Sequence, residues 1–147
     1  MRRRIFLTIL LISLITSSIA SILTIYVYYN FYVKDAKQQL KTIVILTAEP
    51  HKWDNASSIN SSVNSILKSV DYSIRFTIIK EDGSVIYDNW QDKIKENHKD
   101  RPEVVEAFER GFGEDIRYST TVSSDMYYYA VNLNNDEVLR LSREISS

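Results

Sequence analysis

Arginines, a histidine and a group of aromatics are the side chains of this sequence best suited to holding a ligand. Arg101 and Arg117 carry planar guanidinium groups, which grip a carboxylate or phosphate through paired hydrogen bonds. Each has a structural alternative: Arg101 bonding loop carbonyls, and Arg117 pairing with Asp115 or Glu114 on a solvated strand face. His98 can fix a loop by hydrogen bonding. As a catalytic base it would need a nucleophile, and no nucleophile motif singles out any of the serines. Trp90 can cover a pocket or close a core beneath a loop. Tyr127, Tyr128 and Tyr129 are consecutive, so on a strand Tyr127 and Tyr129 share a face with Val131, and Tyr128 shares the other with Met126 and Ala130. Tyr118, Tyr127 and Tyr129 offer an apolar ring with a polar tip, which suits a pocket lining and ordinary packing alike.

Composition removes several other chemistries. The chain has no cysteine, hence no disulfide framework, thiolate metal site or thiol nucleophile. Its histidines are His51 and His98 alone, so a zinc site lacks ligands and no metal or cofactor is expected. Glycine occurs three times, at turn positions, so no glycine-rich phosphate loop is available. Net charge is -1; setting aside Arg2, Arg3 and Arg4 leaves -4 for the remainder, a balance unsuited to nucleic acid.

The candidate residues need elements to position them, and those are readable. Ala36, Leu40, Ile43 and Thr47 recur at helical spacing over residues 34–49, with Pro50 ending the helix. That stripe is either a homodimer seam or the face that packs on its own domain. His51 opens a loop; Ser57 or Ser58 can cap a second helix over 58–70, with Ile59, Val63, Ile66, Leu67 and Val70 apolar. Period two then takes over. Strands are predicted over 74–79 and 84–88, joined by the turn Glu81-Asp82-Gly83, and over 114–120, 126–133 and 137–143. Residues 89–101 read as irregular. Pro102, Glu103, Arg110 and Gly111 mark a short helix over 102–110. The sum is an α+β domain with an antiparallel sheet of about five strands and flanking helices, the arrangement of PAS-like (PDC, single-Cache-like) sensor domains. Asn55-Ala56-Ser57 and Asn60-Ser61-Ser62 match glycosylation acceptors, a short and common pattern.

Ahead of this domain, residues 5–33 contain no charged side chain. A bilayer core needs about 20 apolar residues in a helix. Arg2, Arg3 and Arg4 place residues 1–4 in the cytoplasm, and Tyr26, Tyr28, Tyr29, Phe31 and Tyr32 make an interfacial belt at the far end. Residues 34–147 are then extracytoplasmic. A secretory signal cleaved after Ser18-Ile19-Ala20 is the alternative, but apolar character continues well beyond Ala20.

The stretch Asn97-His98-Lys99-Asp100-Arg101-Pro102-Glu103-Val104-Val105-Glu106-Ala107 is followed by Gly111, Gly113, Arg117-Tyr118-Ser119 and Asp125-Met126-Tyr127. This set resembles the outer sensor region of bacterial transmembrane histidine kinases similar to the phosphate-regulon sensor kinase. The likeness extends over the order of segments, with recognisable motifs only in residues 75–141. It implies a PAS-like sensor domain whose pocket forms between a loop and the sheet, and a two-component kinase whose signalling modules lie after a second span. This sequence holds no second span, phosphoacceptor helix or ATP-binding region, so no phosphoryl transfer is expected of it.

The expected function is therefore an extracytoplasmic signal-input module, with a small ligand or an extracytoplasmic protein as partner and a homodimer through the transmembrane and juxtamembrane helix. The alternative is a stand-alone, membrane-anchored binding or interaction protein. A hydrolase is disfavoured by the missing nucleophile and metal motifs.

Overall fold

The computed structural model describes residues 2–47, 56–69, 73–91, 96–133 and 136–145. The chain divides into two units, Met1–Asp35 and Ala36–Ser147. Helix α1 (Arg2–Thr47) supplies the first, and every residue from Arg2 to Phe31 is exposed. Its most apolar stretch has a mean hydropathy of 2.3, long and apolar enough to cross a membrane. Hydroxyls do not spoil this. Thr16, Ser18, Ser21 and Thr24 donate to carbonyls one turn back, at Ser13, Leu14, Ser17 and Ala20.

The second unit begins inside α1, where Ala36, Leu40 and Ile43 are buried together with Val44. The stripe that sequence left open as a dimer seam is thus buried within a single chain. Helix α2 (Ala56–Ser69) buries Val63 and Leu67. Ser57 and Ser58 lie inside α2, which already includes Ala56, and not ahead of its first turn. Asn60 also sits in this helix and not on a loop. The predicted helix end at Pro50, and His51, Asn55 and Val70, lie outside the described residues.

Five antiparallel strands follow: β1 (Arg75–Lys80), β2 (Val85–Asp88), β3 (Phe112–Ser119), β4 (Ser124–Asn132) and β5 (Glu137–Glu144), in the order β2-β1-β5-β4-β3. Helix α3 (Pro102–Arg110) precedes β3. Its boundaries match the chemistry of its ends: proline in the first turn, Glu103 near the positive pole, and Gly111 at φ +88° donating to the Ala107 carbonyl at 3.0 Å. The α+β class is the one expected, with strand limits shifted by one or two residues.

Period two sorts the sheet into two faces of unlike character. One carries Phe76, Ile78, Leu139, Leu141 and Tyr127, all buried, on the side of α1. The other carries Arg75, Thr77, Arg140, Ser142 and Tyr128, also buried. Five of the six residues of β1 are buried. A central strand between β2 and β5 is covered on both sides, so Arg75 and Thr77 must find polar partners inside.

Candidate functional site

The polar face of the sheet is closed at one end by α3, which packs Ala107 and the partly buried Phe108 on Ala130 and Val138. Gly113 makes the approach close. A Cβ there would lie 2.3 Å from the Glu103 carbonyl oxygen and 2.7 Å from the Glu106 Cβ. The first turn of α3 therefore rests directly on β3 and delivers Glu103, fully buried, to the sheet.

A buried carboxylate is costly unless paired, and Glu103 is paired three times. Arg117 donates to both its oxygens, at 2.6 and 2.8 Å, and Arg140 donates to Oε1 at 3.2 Å. Arg117 also reaches Asp115 at 2.7 Å, and its guanidinium lies 3.8 Å from the Tyr128 ring centre. The Arg140 guanidinium stands 5.3 Å from the same ring, and the group donates to Thr77 Oγ1 at 3.3 Å. Burial pushes the Glu103 carboxyl up, but the bonds from Arg117 and the charges of Arg140 and Arg117 outweigh it and hold Glu103 below its ordinary value. Burial alone would lower Arg117, yet Glu103 and Asp115 raise it. In Arg140 the order reverses: burial lowers it more than Glu103 can restore.

A second pair flanks this group. Arg75 donates to Asp88 at 2.8 Å, and the same oxygen accepts from Thr77 at 3.0 Å. The other Asp88 oxygen receives the backbone N–H groups of Trp90 and Gln91, so Asp88 also shapes the chain leaving β2. The loop over the face is held from the β1–β2 turn. His98 donates its backbone N–H to the Gly83 carbonyl, and the Asn97 side chain bonds the Asp82 carbonyl and the Lys99 N–H.

These parts enclose a cavity of about 480 Å³, bordered by Arg75, Arg101, Arg117, Arg140, His98 and Tyr128, with Ser119, Thr120 and Thr121 at the β3–β4 turn and Gln91 and Glu96 opposite. That volume suits a small metabolite. Of the candidates drawn from sequence, Arg101, Arg117, His98 and Tyr118 meet here. Arg101 is half-exposed and bonds Glu96 at 3.2 Å, and no loop carbonyl among the described residues. Trp90 lies outside the lining, its ring 5.7 Å from the Arg75 guanidinium. Tyr127 and Tyr129 are on the opposite face, beneath α1. Lys37 stands 5.2 Å from the Tyr127 ring, Lys41 5.3 Å from that of Tyr129, and both lysines pair with Glu114, which accepts from the Tyr127 hydroxyl at 2.6 Å.

His98 is buried, and burial together with Arg140, Arg101 and Arg75 lowers its pKa to about 4, so the ring is neutral at ordinary pH. Among the described residues, its Nδ1 and the Nε of Arg140 are buried without a hydrogen-bond partner. Each such group costs about 1–3 kcal/mol. The site therefore keeps unused hydrogen-bonding capacity. No group of three or more His, Cys, Asp or Glu placed to hold a metal occurs among the described residues.

The model of one family, described as Single Cache-like, matches residues 30–139, most of the chain. The chain belongs to the Single Cache-like family. No curated protein matches it. Among solved structures, the extracellular domain of rpHK1S-Z16, described as a candidate histidine kinase, matches at 12% identity and TM-score 0.45, over 57% of this chain and 36% of that one. The Bacillus subtilis YkuI protein, which has an EAL domain and was solved with its substrate c-di-GMP and calcium, matches at 13% identity and TM-score 0.57, over 80% of this chain and 34% of that one. This second likeness is one of fold, and the chain spans about a third of either structure. A Cache domain with a helix able to cross a membrane is a sensor module.

Several residues of the Cache cavity escaped the sequence reading: Arg75, Arg140, Tyr128 and, beneath them, Glu103. A signal existed for the arginines. Arg75 and Arg140 interrupt strands otherwise rich in Ile, Phe, Leu and Val, where a charge needs a buried partner. Which tyrosine of the three faced the cavity depended on which face α1 covers, and period two cannot supply that.

Proposed function

We propose that this chain is the extracytoplasmic input module of a two-component sensor histidine kinase, with residues 1–4 in the cytoplasm, residues 5–33 across the membrane and the Cache domain outside. A small ligand enters the cavity bordered by Arg101, Arg117, His98 and Tyr118 and stabilises one arrangement of the domain. Helix α1 carries that arrangement to the membrane, where the spanning part pairs with a second copy. Ligand and helix communicate only if the ligand favours one of two states.

The observation that carries this reading is the use of β4. Tyr128 contacts the cavity arginines, while its neighbours Tyr127 and Tyr129 contact Lys37 and Lys41 of α1. One strand therefore joins a polar cavity to the helix that continues into the apolar segment.

Placement outside is testable because the chain has no cysteine. Glu109→Cys, exposed on α3, gives a single reactive thiol. A membrane-impermeant maleimide should label it in intact cells. Labelling only after lysis overturns the placement and the receptor reading with it.

A further inference from the structure

The juxtamembrane stripe of α1 packs on its own domain, and what the helix leaves outward there is polar: Lys34, Gln38, Gln39 and Thr42. Two copies paired through their spans therefore need another surface if their outer domains are to meet. Among the described residues after Phe31, six large apolar side chains are exposed: Ile86, Trp90, Val105, Phe112, Ile116 and Tyr118. Three of them fall on β3 at even spacing, so period two sets Phe112, Ile116 and Tyr118 in one row. Strand β3 also lies at an edge of the sheet, and among the described strands it pairs with β4 alone. Single exposed apolar groups are ordinary, but an aligned set on an edge strand marks a contact surface. Glu114 belongs to the same row, and like carboxylates brought together would repel. Its charge is already answered: Lys37 and Lys41 approach it at 3.5 and 3.4 Å, and Tyr127 donates to it at 2.6 Å.

Resting on the reading that the spans pair, we propose that the row of Phe112, Ile116 and Tyr118 is where the outer domains of two copies of this chain meet. An axis normal to the membrane relates chains inserted the same way, so each residue stands at the height of its counterpart. The row can then pack on itself, with Ile116 against Ile116 of the second copy. Three such side chains offer roughly 300 Å² per copy, against about 800 Å² per partner in a stable interface. The contact is therefore too small to hold two free domains together. It forms where paired spans keep the domains at an effective concentration of about 1 mM or more. Tyr118 also borders the cavity, so one residue belongs to both surfaces.

The test is disulfide cross-linking of the full chain in isolated membranes, oxidised with copper phenanthroline, using single cysteines in a sequence that has none. Ile116→Cys should form dimers at least about tenfold faster than Val105→Cys on α3 or Ile86→Cys on β2, at the other edge of the sheet, although all three positions are exposed. Adding Phe112→Ser to Ile116→Cys should slow the reaction about fivefold. Single cysteines through residues 12–18 sample every side of the spanning helix as a reference. Dimers from that segment with none from Ile116→Cys overturn the outer contact and leave pairing in the membrane standing. No dimer from any position overturns both. Equal rates at Ile116, Val105 and Ile86, or a rate that Phe112→Ser leaves unchanged, overturn the outer contact alone.

Discussion

Gly83 and Gly111 share a left-handed backbone, at φ +83° and +88°, but not the same surroundings. A Cβ on Gly111 meets nothing within 4 Å, whereas one on Gly83 would stand 2.0 Å from Asn97 Oδ1 and 2.5 Å from the Lys99 nitrogen. Gly111→Ala should therefore cost the backbone strain alone, about 1–2 kcal/mol, and Gly83→Ala more than about 3 kcal/mol. Thermal unfolding of the two variants checks the difference. Gly83→Ala should also disturb His98, whose backbone bonds Gly83. His98 itself makes a pH prediction. Unfolded, it takes up a proton near 6.5; folded, burial and the neighbouring arginines delay that to about 4. Its contribution is fully present above about pH 6.5 and is lost as pH falls from there toward 4, on the order of 3 kcal/mol at most. The melting temperature of the wild type should fall through that window, and that of His98→Gln should fall less. Glu103, held below its ordinary value, adds a loss at still lower pH. Arg101, Arg117 and His98 could be picked out from residue type; Glu103, the partner of Arg117, could not, since its place in a first helical turn already had a sufficient reason.

Among elements, the contact of α3 with β3 decides the geometry of the site. Gly113→Ala forces a methyl against the Glu103 backbone, where no flexible side chain can yield. The first turn of α3 should lift, and Glu103 should lose its paired bonds to Arg117. We expect a loss of about 1–3 kcal/mol in denaturant unfolding, with a further loss of ligand affinity that Gly111→Ala does not show. Helix α3 was legible to the residue because proline, acid, base and glycine each stood where helix ends require them. The sheet was legible as five strands because turn formers separate runs of β-branched and aromatic residues. Strand order and the second covered face of β1 were not, since both follow from pairing between residues distant in sequence, such as Arg75 with Ser142. The same long-range pairing brought Arg75 and Arg140 into one cavity.

At the scale of the molecule, the apolar part of α1 sets where the domain resides. Ile15→Arg places a charge in the middle of that stretch, at about 2.5–3.5 kcal/mol on insertion scales. Membrane fractionation should show less of this variant retained after alkaline extraction, and equal retention would count against α1 as a span. The apolar stretch was the plainest feature in the sequence, because composition alone reveals it. The way the juxtamembrane stripe buries Ala36, Leu40 and Ile43 was not, as the same spacing serves a partner helix or its own domain. The buried Glu103 also changes the pull of the cavity on small ions. Bare guanidinium groups would attract any anion within reach. A resident acid seated on Arg117 and Arg140 cancels that pull, so charge by itself would hold little there.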